Sequence, residues 1–283
     1  MISVGPLPMT LMVLLVALAI AIAVGWQVAR RAPAQPPVKV MPTILDMLFV
    51  GVVAARLGFV LEWLPQYLAD PWSIIRIGDG GFSVWAGVLA GVGFGAWRAR
   101  KAQPLRRPLA FGVVAGLASW AVLGGSLLLM QQSVLKLPAT ELTTLEGATT
   151  NLSALSGKPM VVNLWATWCP PCRREMPVLA NAQLRHSDVE FAFVNQGEPA
   201  QVIDDYLAGG DLQLRNVLLD LFSSVSQEAG SRGLPTTLFF DADGRLVDTH
   251  MGELSEASLA QKLRRLGAAQ PTNPNPVPST EVP

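Results

Sequence analysis

Residues 160–172 read MVVNLWATWCPPC, and this stretch decides how the second half of the chain folds. Its first part, residues 160–164, is a short apolar run rich in β-branched residues, which predicts a strand. The residues that follow, 173–184, read RREMPVLANAQL and have the apolar spacing of a helix. Cys169 and Cys172, the only two cysteines among 283 residues, therefore lie between a strand and a helix. That context is typical of dithiol–disulfide exchange.

Cys169 is the predicted attacking thiol, because it falls at the predicted N-terminus of the helix. Free N–H groups and the helix dipole favour an anion at this position, and they can lower a cysteine pKa from about 8.5 to roughly 3.5–7.5. Cys172 lies one turn later, within reach of a mixed disulfide that it would resolve. Pro170 and Pro171 fall in the first turn, where a missing N–H costs little.

A zinc half-site and a structural disulfide are the two alternative interpretations of this cysteine pair. Zinc takes about four ligands, and the only histidines, His186 and His250, lie far from the pair in sequence. We therefore expect no metal and no other cofactor. Both histidines are expected on the surface, without a functional role.

The composition of the whole chain indicates a membrane protein. Hydrophobic residues make up 51% of the sequence and charged residues only 15%, and the mean hydropathy is +0.38. The apolar residues are concentrated in the first half, whereas the second half has the composition of an ordinary soluble domain. The formal net charge of zero gives no indication of nucleic acid binding.

Four segments of the first half are predicted to cross a membrane, each near the roughly 20 residues that a helical span requires. They are residues 9–26, 43–64, 82–97 and 109–130, of which 82–97 is short and rich in glycine. The first segment could also be a signal peptide, with residues 32–34 as its cleavage site. A retained anchor is favoured, because Arg30 and Arg31 follow the apolar run and no basic residue precedes it.

Basic residues predict the orientation of these spans. The loops after the first and the third span are basic, whereas the loop after the second carries little positive charge. Under the positive-inside rule the two basic loops lie in the cytoplasm, and both termini lie outside. The basic residues are Arg30, Arg31 and Lys39 in the first loop, and Arg98, Arg100, Lys101, Arg106 and Arg107 in the third. The cysteine pair is then predicted to lie in the periplasm, or on the outer face of a Gram-positive membrane.

The second half reads as alternating strands and helices. Beyond the central strand and helix, the pattern predicts a hairpin (141–143 with 150–152), strands at 189–195, 236–240 and 246–250, a short edge segment at 216–220, and helices at 199–207 and 255–266. Ser255 is the predicted N-cap of the last helix. The predicted domains are a polytopic membrane domain (1–130), a linker (131–139), a soluble domain (140–266) and a disordered tail (267–283) rich in proline and asparagine.

Two stretches of the soluble half resemble the thioredoxin-like proteins of the TlpA/ResA type, which are membrane-tethered thiol–disulfide oxidoreductases. They are WATWCPPCRREMP at 165–177 and GLPTTLF at 233–239. The resemblance covers residues 138–266 and includes the order and spacing of the motifs. It implies an α/β thioredoxin-like domain, which follows the all-α transmembrane bundle of about four helices that the apolar spans predict.

The resemblance also implies roles for individual residues. Pro235 would be a cis proline facing the two sulfurs, and the backbone of Leu234 would pair with a client peptide. Glu175 matches an acidic residue beneath the motif that handles protons, although an exposed carboxylate favouring the helix dipole is the alternative. Asn163 stands where many thioredoxins bury an aspartate, and Trp165 is expected in the core. The predicted client-binding residues are Trp168, Pro170, Pro171, Leu234 and Pro235.

The membrane half resembles the prolipoprotein diacylglyceryl transferases at residues 56–60 and 80–88. That family has a histidine where Trp85 stands here, and its later arginine-bearing motif is absent. We therefore expect a truncated, catalytically silent relative that acts as an anchor, with a groove for lipid or a partner. Gly87, Gly91 and Gly95 recur every four residues, a spacing that lets helices approach closely. Arg56 is expected to face protein, water or a phosphate group, with Glu62 as a candidate partner.

These observations predict a membrane-anchored periplasmic thiol–disulfide oxidoreductase of the cell inner membrane. It would reduce disulfides of client proteins, ending with a Cys169–Cys172 disulfide, and a membrane thiol electron donor would restore the dithiol. A thiol oxidase or isomerase partner, a lipoprotein diacylglyceryl transferase with an accessory redox domain, and a non-catalytic docking module are the alternatives. Apocytochrome c, as in cytochrome c maturation, a copper-handling protein and misoxidised proteins are all compatible clients. Membrane lipid is a further expected partner.

Overall fold

The computed structural model describes residues 3–4, 7–31, 39–69, 71–74, 79–131, 136–231 and 233–267. The chain separates into two compact units, Met1–Ser133 and Val134–Pro283. The predicted tail lies outside the described residues from position 268 onward, as do residues 132–135 of the predicted linker and the candidate cleavage site at 32–34.

The described residues of the first unit are mainly helical, and a small hairpin lies at their start. The hairpin pairs β1 (Ser3–Val4) with β2 (Leu7–Pro8). The helices are α1 (Met9–Arg31), α2 (Val40–Glu62), α3 (Leu64–Ala69), α4 (Val84–Lys101) and α5 (Arg106–Gln131), with 3₁₀ turns at Pro71–Ile74 and Gln103–Leu105.

Three apolar segments among the described residues are long enough to cross a membrane, namely Met12–Arg31, Val40–Glu62 and Gln103–Ser126. The predicted all-α bundle is confirmed in outline, since all four predicted spans are helical. The third predicted span, residues 82–97, forms most of α4. It does not reach the same length and apolarity, because α4 is rich in glycine and ends in Arg98, Arg100 and Lys101.

Glycines bring the helices of this unit into close contact. A Cβ added at Gly91 would lie 3.1 Å from the Met47 carbonyl oxygen of α2, and one at Gly87 would lie 2.9 Å from the Gly51 carbonyl oxygen. Gly93, on the other side of α4, has no atom within 4 Å of such a Cβ. The predicted close approach through Gly87, Gly91 and Gly95 is therefore confirmed, with α2 as the partner helix.

Arg56 of α2 is held by the segment that precedes α4. Its Nη1 lies 2.8 Å from Asp79 Oδ1 and donates to the Gly81 carbonyl at 2.9 Å, and its Nη2 donates to the Ile74 carbonyl at 3.1 Å. Tyr67 donates from its hydroxyl to the other Asp79 oxygen at 2.7 Å. The expectation that Arg56 faces protein is therefore confirmed. The partner described for it is Asp79, which lies 23 positions away, rather than the candidate Glu62 on the same helix.

The second unit is a seven-stranded mixed sheet flanked by helices. Its elements are β3 (Leu142–Thr144), β4 (Thr149–Thr150), a 3₁₀ turn (Leu152–Leu155), β5 (Met160–Trp165), α6 (Pro170–Arg185), β6 (Glu190–Gln196), α7 (Ala200–Gly209), β7 (Val217–Asp220), α8 (Ser224–Glu228), β8 (Thr236–Phe240), β9 (Leu246–Met251) and α9 (Glu256–Arg265). The strand order is β4-β3-β7-β6-β5-β8-β9.

Strand β5 lies at the centre of the core and carries the cysteine motif at its carboxyl end. All six of its residues are buried, because β6 pairs with it in parallel, β8 pairs with it in antiparallel, and an apolar cluster packs on each face. Strand β7 continues the parallel part beside β6. The carboxyl ends of the parallel strands β5, β6 and β7 therefore lie at the same end of the sheet, and the cysteine motif follows β5 at that end.

Most of the predicted elements are confirmed, and the differences have physical causes. Ser255 caps α9 as expected, since its hydroxyl accepts from Ser258 N at 3.2 Å while the Ser258 hydroxyl accepts from Ser255 N at 2.9 Å. The prediction that residues 216–220 form an edge was wrong, because β3 pairs with β7 in antiparallel and makes it an interior strand. Helix α8 was not predicted, since its five residues are too short to show a period.

Candidate active site

The two cysteines follow the end of the central strand and lie at the start of α6. Cys169 is the N-cap of α6, and its Sγ accepts a hydrogen bond from the backbone N–H of Cys172 at 3.3 Å. The two residues form a disulfide and are both buried in the apolar cluster between the sheet and α6. The structure thus places Cys169 at a helix N-terminus and Cys172 one turn further on. Among the described residues no group of three or more potential metal ligands comes together.

The two prolines of the motif limit the number of amide groups near the Cys169 sulfur. Pro170 and Pro171 occupy the first two positions of α6, and neither has a backbone N–H. The Cys172 N–H is consequently the first amide of the helix that can reach Cys169 Sγ. A thiolate at Cys169 would receive less stabilisation from this helix start than from one in which all amides are present.

Glu175 is a fully buried acid one turn beyond Cys172 on α6. Its Oε1 accepts from Asn163 Nδ2 at 2.8 Å, and its Oε2 accepts from the backbone N–H of Leu254, also at 2.8 Å. Burial raises the pKa of Glu175 from 4.5 to about 8, although these two hydrogen bonds favour the ionised form. Residues three apart on a helix are neighbours, so Glu175 and Cys172 lie on the same buried face of α6. The alternative of an exposed first-turn glutamate was wrong.

Asn163 of β5 holds the Glu175 carboxyl from the sheet side. Its amide also donates to the Thr237 hydroxyl of β8 at 3.0 Å, directly across the antiparallel pair. From the sequence, Asn163 was expected only to occupy the place where many thioredoxins bury an aspartate. The structure shows instead that it supplies one of the two hydrogen bonds to the buried acid.

Glu198 braces the turn that leads into Cys169. Its carboxylate accepts from Thr167 N at 2.7 Å, from the Thr167 hydroxyl at 2.5 Å and from Asn195 Nδ2 at 2.7 Å. This acid is buried and follows the end of β6, the strand next to β5. Glu198 was not among the site residues predicted from the sequence. An acid directly after a predicted buried strand, three residues beyond a strand asparagine, is a signal that could have drawn attention to it.

The loop before β8 closes the other side of the motif. The peptide bond between Leu234 and Pro235 is cis. Pro235 is buried, and Leu234 packs against the apolar cluster that contains both cysteines. Thr236, the next residue, pairs with Leu164 of β5 and donates from its hydroxyl to the Gly233 carbonyl at 2.7 Å. The loop is thereby fixed beside the end of the central strand.

The remaining aromatic and imidazole side chains are divided between core and surface. Trp165 is fully buried with its ring 5.5 Å from that of Tyr206, as expected for a core residue. Trp168 is 67% exposed immediately before Cys169. The expectation that both histidines lie on the surface was wrong. His186, the C-cap of α6, and His250, which pairs with the buried Thr237 of β8, are both buried.

A cysteine pair joined at a helix N-terminus, a buried acid behind it and a cis-proline loop beside it define a thioredoxin-like thiol–disulfide oxidoreductase. Residues 133–263 match the family model of redoxin, and residues 1–126 match that of prolipoprotein diacylglyceryl transferase. The chain belongs to the redoxin family through its second half, and its first half is a transferase-like region.

The relatives that match the second half include proteins named as thiol–disulfide oxidoreductases. The oxidoreductase ResA of Halalkalibacterium halodurans is 33% identical over 117 residues, which are 41% of this chain and 66% of ResA. The thioredoxin-like protein YneN of Bacillus subtilis is 30% identical over 130 residues, 44% of this chain and 75% of YneN. Among solved structures, DsbF of MTB is 28% identical with a TM-score of 0.43, covering 46% of this chain and 98% of DsbF.

Proposed function

We propose that the chain is a membrane-anchored reductant of client disulfides that works outside the cytoplasm. The observation that carries this proposal is the setting of Cys169 and Cys172. Two prolines without N–H groups separate them, and a buried carboxyl group follows one turn later on α6. Both features disfavour thiolates relative to the disulfide. A dithiol whose reduced form is poorly stabilised has a low reduction potential and gives its electrons away.

The exchange reaction conserves electrons between two sulfur pairs. The Cys169 thiolate attacks one sulfur of the client disulfide, which forms a Cys169–client bond and releases the other client sulfur as a thiolate. The Cys172 thiolate then attacks Cys169 Sγ, which releases the second client thiolate. Two electrons pass from the cysteine pair to the client, two protons reach the client thiolates, and the enzyme ends with the Cys169–Cys172 bond.

Glu175 is suited to take the proton that Cys172 loses before the second attack. An acid whose pKa is raised to about 8 by burial is present in both protonation states near neutral pH. When it is ionised, its charge also opposes a thiolate at Cys172. In this proposal, Trp168, Pro170, Pro171, Leu234 and Pro235 contact the client, with the backbone at Leu234 pairing as an added strand.

The electrons for the next cycle come from a separate membrane dithiol. Residues 1–168 contain no cysteine, so the first half of the chain cannot relay electrons as thiols. In an oxidising compartment such a donor is required, because a low-potential dithiol does not remain reduced there. The client class is apocytochrome c, a copper-handling protein or misoxidised proteins. The proteins captured in a trapped mixed disulfide identify which of these it is.

The first half serves as the anchor in this proposal and not as a transferase. Its exposed apolar side chains, such as Phe49, Leu61 and Phe111, suit contact with lipid, and Arg56 is engaged by Asp79 and backbone carbonyls. Trp85 cannot act as a base in place of the histidine of the transferase family, and residues 1–133 contain no histidine. The basic residues at the C-terminal ends of α1 and α4 and at the start of α5 favour an orientation with the cysteine domain in the periplasm.

The orientation is tested by thiol labelling in intact cells. The chain has only two cysteines, so a membrane-impermeant maleimide applied to spheroplasts after mild reduction reports on the active site alone. We expect labelling without permeabilisation and none in a Cys169→Ser/Cys172→Ser control. Labelling that requires permeabilisation would place the domain in the cytoplasm and contradict the proposed location.

A further inference from the structure

Two large apolar side chains near the cysteine pair are exposed to solvent. Leu221 and Phe222 follow the end of β7 and are 55% and 83% exposed. Trp168, directly before Cys169, is also mostly exposed. Nothing in the exchange chemistry requires Leu221 or Phe222. Large exposed apolar groups beside one another are typical of contact with another molecule.

The loops that carry these side chains lie at the same end of the sheet, and hydrogen bonds connect both to the residues after β6. Strands β5, β6 and β7 are parallel neighbours, so Trp168 and Phe222 follow strands that end on the same side of the sheet, with only β6 between them. With strands about 4.8 Å apart, the two loops start roughly 10 Å from each other. The residues after β6 tie them together, since Glu198 accepts from Thr167 N and Gly197 N donates to the Asp220 carbonyl at 3.0 Å.

The loop after β7 is held in a fixed conformation. The Asp220 carboxylate accepts from the backbone N–H groups of Ser224 at 2.8 Å and Val225 at 2.9 Å, which fastens both ends of the turn that contains Leu221 and Phe222. Ser223 completes this turn at a φ of 54°. The two apolar side chains are consequently presented in a defined place, which lowers the entropy lost when a partner binds.

We infer that Trp168, Leu221 and Phe222 form an apolar docking surface for a client segment whose disulfide is flanked by large apolar residues. This inference rests on the proposed function, because a client must bring its sulfur to Cys169 at the edge of this surface. Tryptophan is among the side chains that contribute most to binding at interfaces, and fixed contacts beside a reacting pair orient a peptide for reaction. A bilayer lying on the same surface would cover Cys169 and block exchange, so a client polypeptide is the occupant.

The experiment compares two variants of the full chain in detergent micelles. The test variant is Leu221→Ser/Phe222→Ser. The matched control is Leu184→Ser/Val247→Ser, whose native side chains, on α6 and β9, are 73% and 57% exposed. Three disulfide probes are used: a peptide with an intramolecular disulfide flanked by Leu and Phe, the same peptide with Ser at those positions, and oxidised glutathione.

Dithiothreitol in fixed excess supplies the electrons, and the rate without protein is subtracted. The measured quantity is the ratio of kcat/KM for the apolar peptide to kcat/KM for glutathione disulfide. We expect the test variant to lower this ratio about tenfold, mainly through KM, and the control variant to leave it unchanged. The Ser-flanked peptide should show little difference among the three proteins. Phe222→Ser alone, a milder change, should lower the ratio about threefold.

Other outcomes would overturn the inference in distinguishable ways. If the wild-type chain reduces none of the probes, the proposed function fails. If it reduces all three and the test variant keeps the wild-type ratio, or if the control variant loses as much, only the docking surface fails. Protection of the amides of residues 221–224 from hydrogen exchange on reconstitution into phosphatidylglycerol vesicles, with an unchanged ratio, would assign the surface to lipid and contradict the proposal.

Discussion

A Cys172→Ser variant is expected to accumulate a covalent complex with its client through Cys169. The serine hydroxyl cannot attack the mixed disulfide, so the second half of the exchange stops while the first half proceeds. Reduction of client should fall by at least about a thousandfold, and non-reducing electrophoresis of cell extracts should show new bands of higher mass. Mass spectrometry of those bands would identify the client proteins.

Cys169→Ser provides the matched contrast. It removes the attacking sulfur, so turnover should fall as far as in Cys172→Ser, but no covalent complex should form. The two substitutions change equivalent atoms of one disulfide, and both positions are buried, so their effects on stability are comparable. Trapped complexes in Cys169→Ser, and none in Cys172→Ser, would reverse the order of attack assigned to the two sulfurs.

Replacing Glu175 with glutamine is expected to slow the second attack. Glu175 lies on the same buried face of α6 as Cys172 and is the acid proposed to accept its proton, and glutamine preserves its shape but not its titration. Loss of a positioned general base reduces a rate by roughly 100-fold or more. Stopped-flow measurements at pH 7 should show a longer-lived mixed disulfide, whereas the first attack should change little. An unaltered lifetime would remove Glu175 from the mechanism.

The same substitution should change how stability depends on pH. The pKa of Glu175 is about 8 in the folded protein against 4.5 ordinarily, so the folded state holds the extra proton between these values. Stability from this group is therefore fully present below pH 4.5 and is lost as the pH rises towards 8. The loss is on the order of a few kcal/mol, because a tenfold change in the acid dissociation constant corresponds to about 1.4 kcal/mol.

Pulse proteolysis in urea at pH 5 and pH 8.5 measures this difference. The wild-type second unit should become easier to unfold at the higher pH, and Glu175→Gln should show a smaller change. Glu256→Gln is the control, because Glu256 is half-exposed in an ion pair with Arg185 and should follow the wild type. Equal pH dependence in wild type and Glu175→Gln would show that the buried acid does not titrate in this range.

The local features of the active site could be predicted from sequence because they depend on neighbours in the chain. Strand β5, the helix start at Cys169 and the N-cap at Ser255 all follow from residues within a few positions. The family resemblance added the loop at Leu234 and Pro235, which lies more than 60 positions from the cysteines. No local pattern connects those two segments.

The contacts that support the site depend on sheet order, which the pattern of single segments does not determine. Glu198 reaches Thr167 only because β6 lies next to β5, and Asn163 meets Thr237 only because β8 pairs on the other side. The short β7 resembled an edge because its interior position depends on β3, which pairs with it from about 75 positions earlier in the chain. Leu221 and Phe222, which follow β7, lie at the same end of the sheet as the cysteine motif because of this strand order.

The midpoint potential of the Cys169–Cys172 couple tests the central claim most directly. It is measured on the full chain at pH 7 by equilibration in thiol–disulfide buffers of known ratio. We predict a value at or below about −220 mV, in the range of proteins that donate electrons to other disulfides. A value near about −120 mV, as for a strong oxidant, would contradict a reductant.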